Sequence, residues 1–527
     1  MRSKTIKQAI REFSGGTVVY IAGLNGLVAL FGFLRDVIVA MYLGTSLQAD
    51  ALTLSFFLPD AVGNALIATA IGVVSVPVLA KIRETDPTAF AHLIKSVAAQ
   101  LLLLTLSVMM LMYVFANLLT FGSVGSHATE LAIAAKRLLY WTLPAIPFFS
   151  LAALAGAILQ IIGKFRWPAA APLLFNIPPT VVAAMAIILA IPKEQGAIAI
   201  AIVMMLGVAA MGIWTAWPLR KILQSFAMDG KMTEAVQGLS PPVMKIWKGF
   251  LVYLLILLSS QAVYLFERLT AARIEPGAIA ALNYAFRLSQ FPAWVFVAAV
   301  GAMLLPALSK DLAAGAARQM GSRMERAFIL VMGFSVPTCI LFFSLREPIV
   351  SLLFERGAFD AHSVMMTEGV LKGYSLTIVS QALSILMLRF YLAEERLIWP
   401  VLISAASTAV NIWADYALVY RVEMGVQGLG YGAAIGSLFQ AVLLLFTARR
   451  RMNVQRIPKY LMRIGIANIP PLLILVLGYM LYDAIGADQD KWLQALVLGV
   501  LLLGYGSLYM GGLIVLKVIP VRKRADG

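Results

Sequence analysis

Gly32-Phe33-Leu34-Arg35-Asp36 sets two opposite charges side by side within an apolar run covering residues 17–43. A helix of that length crosses the ~30 Å hydrocarbon core of a bilayer. A charge at the centre of that core costs on the order of 3 to more than 10 kcal/mol, so such groups face a water-filled cavity or a partner inside a helix bundle. The rest of the chain reads as a scaffold around that cavity.

The 527 residues are 61% hydrophobic and 13% charged, with a mean hydropathy of +0.88. This is the composition of a polytopic membrane protein. The long apolar runs suit helices, and the short alternating segments of a barrel are absent. The net charge of +16 does not point to nucleic acid, because the basic residues lie mainly in short connections between apolar runs. A lone cysteine, Cys339, offers neither a disulfide framework nor a thiolate metal site, and the spacing of His92, His127 and His362 suggests no metal either.

The fold class expected is all-α with about fourteen transmembrane helices, at 17–43, 50–80, 97–120, 133–162, 168–191, 196–218, 246–270, 278–308, 326–352, 364–392, 398–420, 426–448, 460–482 and 493–517. Residues 1–14 read as a cytoplasmic interfacial segment ahead of an uncleaved first span. Lys and Arg gather on the side of both termini, which places both ends in the cytoplasm; Lys136, Arg137 and the 346–360 stretch are exceptions.

The two halves resemble each other. Arg35…Asp50…Pro59 recurs as Arg268…Asn283…Pro292, with intervals of 15 and 9 residues in both. Val-Pro-Val-Leu-Ala-Lys (76–81) matches Leu-Pro-Ala-Leu-Ser-Lys (305–310), and Trp167-Pro168 and Trp399-Pro400 each open a span. Repeats with proline-interrupted spans in matching places point to a transporter.

Polar residues concentrate at those matching places: Asn25, Arg35, Asp36, Asp50, Asp60 and Asn64 in the first half, and Glu267, Arg268, Asn283, Arg287 and Gln290 in the second. Arg287 and Gln290 are three apart and share a helix face, with Asn283 one turn earlier. Arginine binds phosphate bidentately and stays charged, so Arg35 and Arg287 suit a diphosphate. A second reading makes Arg35–Asp36 and Glu267–Arg268 structural ion pairs that snorkel to the interface. Asn411 and Asp415, four apart on one face, suit Na⁺ or a proton with help from Glu267, or else an interhelical hydrogen bond. No enzyme signature is present: there is no phosphate-binding glycine loop followed by Lys-Ser/Thr, no His-Glu-x-x-His and no Gly-x-Ser-x-Gly.

Five stretches carry a family resemblance: Gly32–Asp36 with Ala49-Asp50 and Pro59; Ala153–Gln160 with Gly163-Lys-Phe165; Ala281–Leu288 with Phe291-Pro292; Leu304–Ser309; and Leu353–Asp360. On these the chain resembles the MurJ/MviN family of lipid II flippases, within the superfamily of multidrug, oligosaccharidyl-lipid and polysaccharide exporters. The resemblance implies two six-helix lobes and two further C-terminal helices, with the N-lobe at 15–219, a cytoplasmic linker at 220–245, the C-lobe at 246–450, and the last two helices with a basic tail at 451–527. It implies movement of a polyprenyl-diphosphate-linked cell-wall precursor across the bacterial plasma membrane by alternating access, without enzymatic chemistry. The expected substrate contacts are Arg35, Asp36, Asp50, Arg268, Asn283, Arg287 and Gln290. Glu267, Asn411 and Asp415 fall where some members hold sodium, so Na⁺ or H⁺ coupling is expected. The partners expected are the lipid bilayer, the glycolipid and cell-wall synthesis enzymes, with the chain itself a monomer. Three positions depart from the family pattern: Ala29 and Gly63 stand where arginines are usual, and Phe286 where aspartate often precedes the cavity arginine. The alternatives are a flippase for another undecaprenyl-linked glycan, an ion-coupled exporter of small molecules, and a non-transporting scaffold for glycan synthesis.

Overall fold

The structure is a computed structural model, and it describes residues 15–116, 126–228, 241–292, 296–394, 396, 398–449, 457–485, 491–516 and 518. The interfacial segment expected at 1–14, the centre of the linker at 229–240 and the basic tail at 519–527 lie outside the described residues. Among the described residues the regular elements are helices throughout. The chain divides into two compact units: Met1–Ala262 with Glu275–Ala280, and Val263–Ile274 with Ala281–Gly527.

The first unit holds α1 (Gly15–Leu43), α2 (Leu47–Pro59), a π-helical segment (Asp60–Ala68), α3 (Thr69–Thr85), α4 (Pro87–Phe115), α5 (Ser126–Thr142), α6 (Ala145–Ile161), α7 (Arg166–Ile188) and α8 (Lys193–Met228). α9 (Pro241–Ala271) starts in this unit. Proline shapes the bends. Pro59 has no N–H for the carbonyl of Ser55 one turn back, and the Thr142 hydroxyl donates to that carbonyl instead at 2.9 Å. Pro144 likewise leaves the Tyr140 carbonyl, which accepts from the Tyr113 hydroxyl at 2.6 Å. α5 and α6 meet there at 45°. The core of this unit gathers Ile71, Leu79, Phe90, Val97, Leu154 and Leu159.

The second unit holds the end of α9, then α10 (Ala278–Pro292) from Ala281 onward, α11 (Ala298–Ala313), α12 (Ala317–Ser344), α13 (Arg346–Phe354), α14 (Ala361–Ala393), α15 (Ile398–Tyr420), α16 (Gln427–Ala448), α17 (Ile457–Ile485) and α18 (Lys491–Val515). Association in lipid rests on close packing of small residues and on interhelical hydrogen bonds. α14 and α16 do both. A Cβ at Gly373 would lie 2.2 Å from the Gly430 carbonyl carbon, and Ser380 and Ser437 pair through their hydroxyls at 2.7 Å. α18 is tied to α17 by the Tyr505 hydroxyl, which donates to Asn468 Oδ1 at 2.5 Å, and to α12 by Tyr509, which donates to the Gly333 carbonyl at 2.7 Å.

The repeat read from sequence is a repeat of elements. α2 ends at Pro59 and passes into a π-helical segment before α3; α10 ends at Pro292, and 296–297 are π-helical ahead of α11. α7 and α15, opened by the two Trp-Pro pairs, are both 23 residues long.

Twelve helices among the described residues are long and apolar enough to cross a membrane, or thirteen with α5 and α6 as one broken span. Among the described residues the expected count of fourteen is not confirmed. The span expected at 278–308 holds α10 and α11, of 15 and 16 residues, on either side of 293–295, which lie outside the described residues. The span expected at 326–352 stops at Ser344, and α13 follows as a separate short helix. The residues expected as linker at 220–228 and 241–245 are helical, as the ends of α8 and α9.

Candidate functional site

In the first unit the site is built on Arg35, in mid-helix on α1 and 6% exposed. Its Nε and Nη2 both donate to Asp36 Oδ1, at 3.0 and 2.7 Å. Its Nη1 donates to Asn176 Oδ1 on α7 at 2.9 Å, and its guanidinium lies over the Phe175 ring, 4.9 Å from the centroid. Phe175 is itself stacked on Phe56 at 5.4 Å. On α7, Pro178-Pro179 leave the carbonyls of Leu174 and Phe175 without intrahelical donors. A Cβ at Gly207 on α8 would sit 2.7 Å from that Leu174 oxygen, so glycine there lets α8 close over the break.

Asp50 stands apart from Arg35. It is fully buried, and its two oxygens accept the backbone N–H groups of Gly277 at 2.7 Å and Ala280 at 2.8 Å. It thus serves the unsatisfied donors at the start of α10. Asp60 accepts from Asn64 Nδ2 at 2.9 Å across one turn of the π-helical segment. Gly63 beside it packs against α6, where a Cβ would lie 2.9 Å from the Ile146 Cα. Backbone thus fills the space that an arginine side chain would need at this position.

In the second unit Glu267 is buried and accepts a hydrogen bond from the Tyr374 hydroxyl on α14 at 3.2 Å. Arg268 donates to the carbonyl of Tyr264, one turn back, at 3.1 Å. Arg268 lies close enough to Glu267 and Arg287 to feel both charges. The Phe286 ring fills the gap between Tyr264 and Tyr374, at 5.5 and 5.9 Å. Gln290 donates to Gln381 Oε1 on α14 at 2.6 Å. Asn283 is half-buried on α10.

Asn411 and Asp415 share the α15 face that meets α16. A Cβ at Gly432 would lie 1.9 Å from Asp415 Oδ1, and one at Gly436 2.6 Å from the Asn411 Cβ. Both oxygens of Asp415 and Oδ1 of Asn411 are buried without a hydrogen-bond partner. Glu267 lies near enough for the two carboxylates to repel. Buried oxygens without donors suit a hard monovalent cation or a proton. Among the described residues, no three His, Cys, Asp or Glu side chains gather as a metal cluster.

The structure therefore brings together Arg35 with Asp36, Gln290 with Gln381 on α14, and Glu267 with Tyr374 on α14. Sequence reasoning missed Asn176, Tyr374 and Gln381. Asn176 had a signal: it is a polar residue in an apolar run, two places before a Pro-Pro pair.

A family model described as lipid II flippase MurJ matches residues 39–501. A lipid II flippase MurJ of Burkholderia cenocepacia is 25% identical over 519 residues, covering 96% of this chain and 98% of its own. That of Thermosipho africanus is 24% identical over 494 residues, covering 92% and 94%. Among solved structures, a lipid II flippase MurJ in an inward closed conformation superposes with a TM-score of 0.75 at 21% identity, over 94% of this chain and 99% of that one. An inward-facing multidrug transporter of the MATE family gives 0.68 at 14% identity, over 82% and 98%. These last two speak to the fold.

Proposed function

The chain belongs to the lipid II flippase MurJ family, and from that membership we propose that it moves lipid II from the inner to the outer leaflet of the bacterial plasma membrane. The observation that carries the reading is the family match over 39–501, which runs through both compact units. The protein is a multi-pass transporter and not a catalyst.

The diphosphate of the headgroup is the part that guanidinium groups recognise. Arg35, oriented by Asp36, is the anion contact of the first unit. Arg287 is that of the second, with Arg268, Asn283 and Gln290 as its polar surroundings. Asp50 supports this function from a distance by fixing the start of α10. The carrier alternates between states open to either side of the membrane, with both termini cytoplasmic. An inside-negative potential favours outward movement of about two negative charges on the headgroup, by roughly 2.3 kcal/mol per charge per 100 mV. Glu267, Asn411 and Asp415 would hold the coupling cation, Na⁺ or H⁺, which resets the empty carrier.

The test is complementation in a strain depleted of its own lipid II flippase. The wild-type chain restores growth, and Arg35→Ala and Arg287→Ala do not. Full rescue by both variants removes the anion contacts, and failure of the wild type with the protein present in the membrane removes the substrate.

A further inference from the structure

We propose that Asn176 is a positioning residue for anion binding, fixing the Arg35 guanidinium as a neutral acceptor so that its place is set while its charge is kept. The inference rests on reading Arg35 as the diphosphate contact of the first unit.

Asp36 already balances Arg35 with one carboxylate, holding Nε at 3.0 Å and Nη2 at 2.7 Å. Two further contacts fix the guanidinium, and both are uncharged: Asn176 Oδ1 at 2.9 Å and the Phe175 ring at 4.9 Å. The orientation of the Asn176 amide is set from both ends. Arginine has no acceptor, so the amide oxygen faces it, and Nδ2 donates to the Val28 carbonyl at 3.4 Å. Asn176 is buried, and its own carbonyl accepts from the Thr180 hydroxyl at 2.8 Å, which ties this turn of α7 together. These bonds use three of the five guanidinium N–H groups, leaving one on each terminal nitrogen for phosphate oxygens. A carboxylate in place of the amide would bind Arg35 more strongly and set a second negative charge against it beside Asp36, which opposes a diphosphate. Among the described contacts at this point, Arg35 and Asp36 are the ionisable pair on α1; Gly207 of α8 abuts the Leu174 carbonyl of α7, and Phe56 of α2 stacks on Phe175.

The test uses the full-length chain in vesicles containing lipid II, comparing wild type, N176L, N176D and R35A from mildly acidic to neutral pH. N176L keeps the charge and loses the hold, so the apparent KM rises on the order of tenfold with kcat little changed. N176D loses transport at neutral pH by a similar or larger factor. It recovers on acidification, because protonation of the introduced carboxyl restores a neutral acceptor. Recovery within one folded sample separates positioning from folding. Neutral-pH transport by N176D equal to wild type overturns the proposal, as does a loss in N176D that acid does not relieve. Normal transport by R35A instead removes the reading on which the proposal rests, and wild type that binds no lipid II removes the flippase reading.

Discussion

The Asp50 carboxylate accepts the backbone N–H of Gly277 at 2.7 Å across 227 residues of chain, and its second oxygen takes the N–H of Ala280. Gly277 has φ +88°, and a Cβ there would lie 2.2 Å from the Thr45 carbonyl oxygen. The start of α10 is thus fitted onto the start of α2. Asp50→Ala strands two buried N–H groups, at about 1–3 kcal/mol each. Asp50→Asn keeps one acceptor and loses roughly half as much. Thermal unfolding in detergent should rank wild type above Asp50→Asn above Asp50→Ala, and equal midpoints would refute the capping role.

Gly63 stands where the family pattern leads to an arginine, and it cannot accept one without moving α6. The Ile146 Cα and carbonyl oxygen lie 2.9 and 3.3 Å from where a Cβ would be. Gly63→Ala should lower stability by about 1–3 kcal/mol through overpacking, and Gly63→Arg by at least as much. Ala29, the other position lacking the family's arginine, is exposed on a membrane-spanning helix, so enlarging it to an apolar Leu meets no packed backbone and should leave the unfolding temperature near wild type. A thermal shift in purified protein distinguishes the two positions.

Asp360 caps α14: its Oδ1 accepts from the Ser363 N–H and hydroxyl, each at 2.9 Å. These bonds hold its carboxyl below the ordinary aspartate value. A depressed folded value means that the stabilisation is complete above the unfolded value of about 3.9 and is lost as pH falls through the folded one. Asp360→Ala should cost about 1 kcal/mol at neutral pH, with the deficit shrinking in acid as the charge is lost. Asp360→Asn keeps the cap and loses the pH dependence. Hydrogen exchange at Ser363 and Val364 reads the first turn directly, and a deficit constant with pH would contradict the assignment.

What sequence conveyed and what it withheld divide by range. Trp167-Pro168 and Trp399-Pro400 announced two helices of equal length because helix starts are written locally. The adjacent pair Arg35–Asp36 was legible for the same reason. Two separate motif stretches, Ala281–Leu288 and Leu353–Asp360, turn out to be one cluster: Tyr284 packs on Phe354 and Phe359, around a turn that Gly357 makes at φ +61°. Partners far apart in sequence were not legible. Asn176 meets Arg35 over 141 residues, and spacing rules reach only three or four. The repeat conveyed backbone more than side-chain partners. It matched Arg268 to Arg35, and while the helix breaks at Pro59 and Pro292 do correspond, Arg268 donates to the Tyr264 carbonyl of its own helix where Arg35 reaches Asn176 on another.

Asp415 presents the clearest energetic imbalance in the second unit. It is fully buried, and neither of its oxygens, nor Oδ1 of Asn411 one turn before, has a hydrogen-bond partner. Glu267 adds a second negative charge nearby. A buried carboxylate without donors is costly, and the cost is relieved by a bound cation, by a proton, or by removing the charge. Asp415→Asn should therefore raise the unfolding temperature measured without sodium, by the equivalent of about 1–3 kcal/mol. If the site takes Na⁺, adding NaCl in exchange for choline chloride raises the wild-type midpoint by mass action and leaves Asp415→Asn unmoved. If it takes a proton, lowering pH has that effect and sodium has none. Gly432→Ala pushes a methyl group into the place of Asp415 Oδ1, and should abolish either response while Asn411 remains in place. A wild-type midpoint indifferent to both sodium and pH, or an Asp415→Asn variant that still responds as wild type does, would leave this carboxylate outside any coupling.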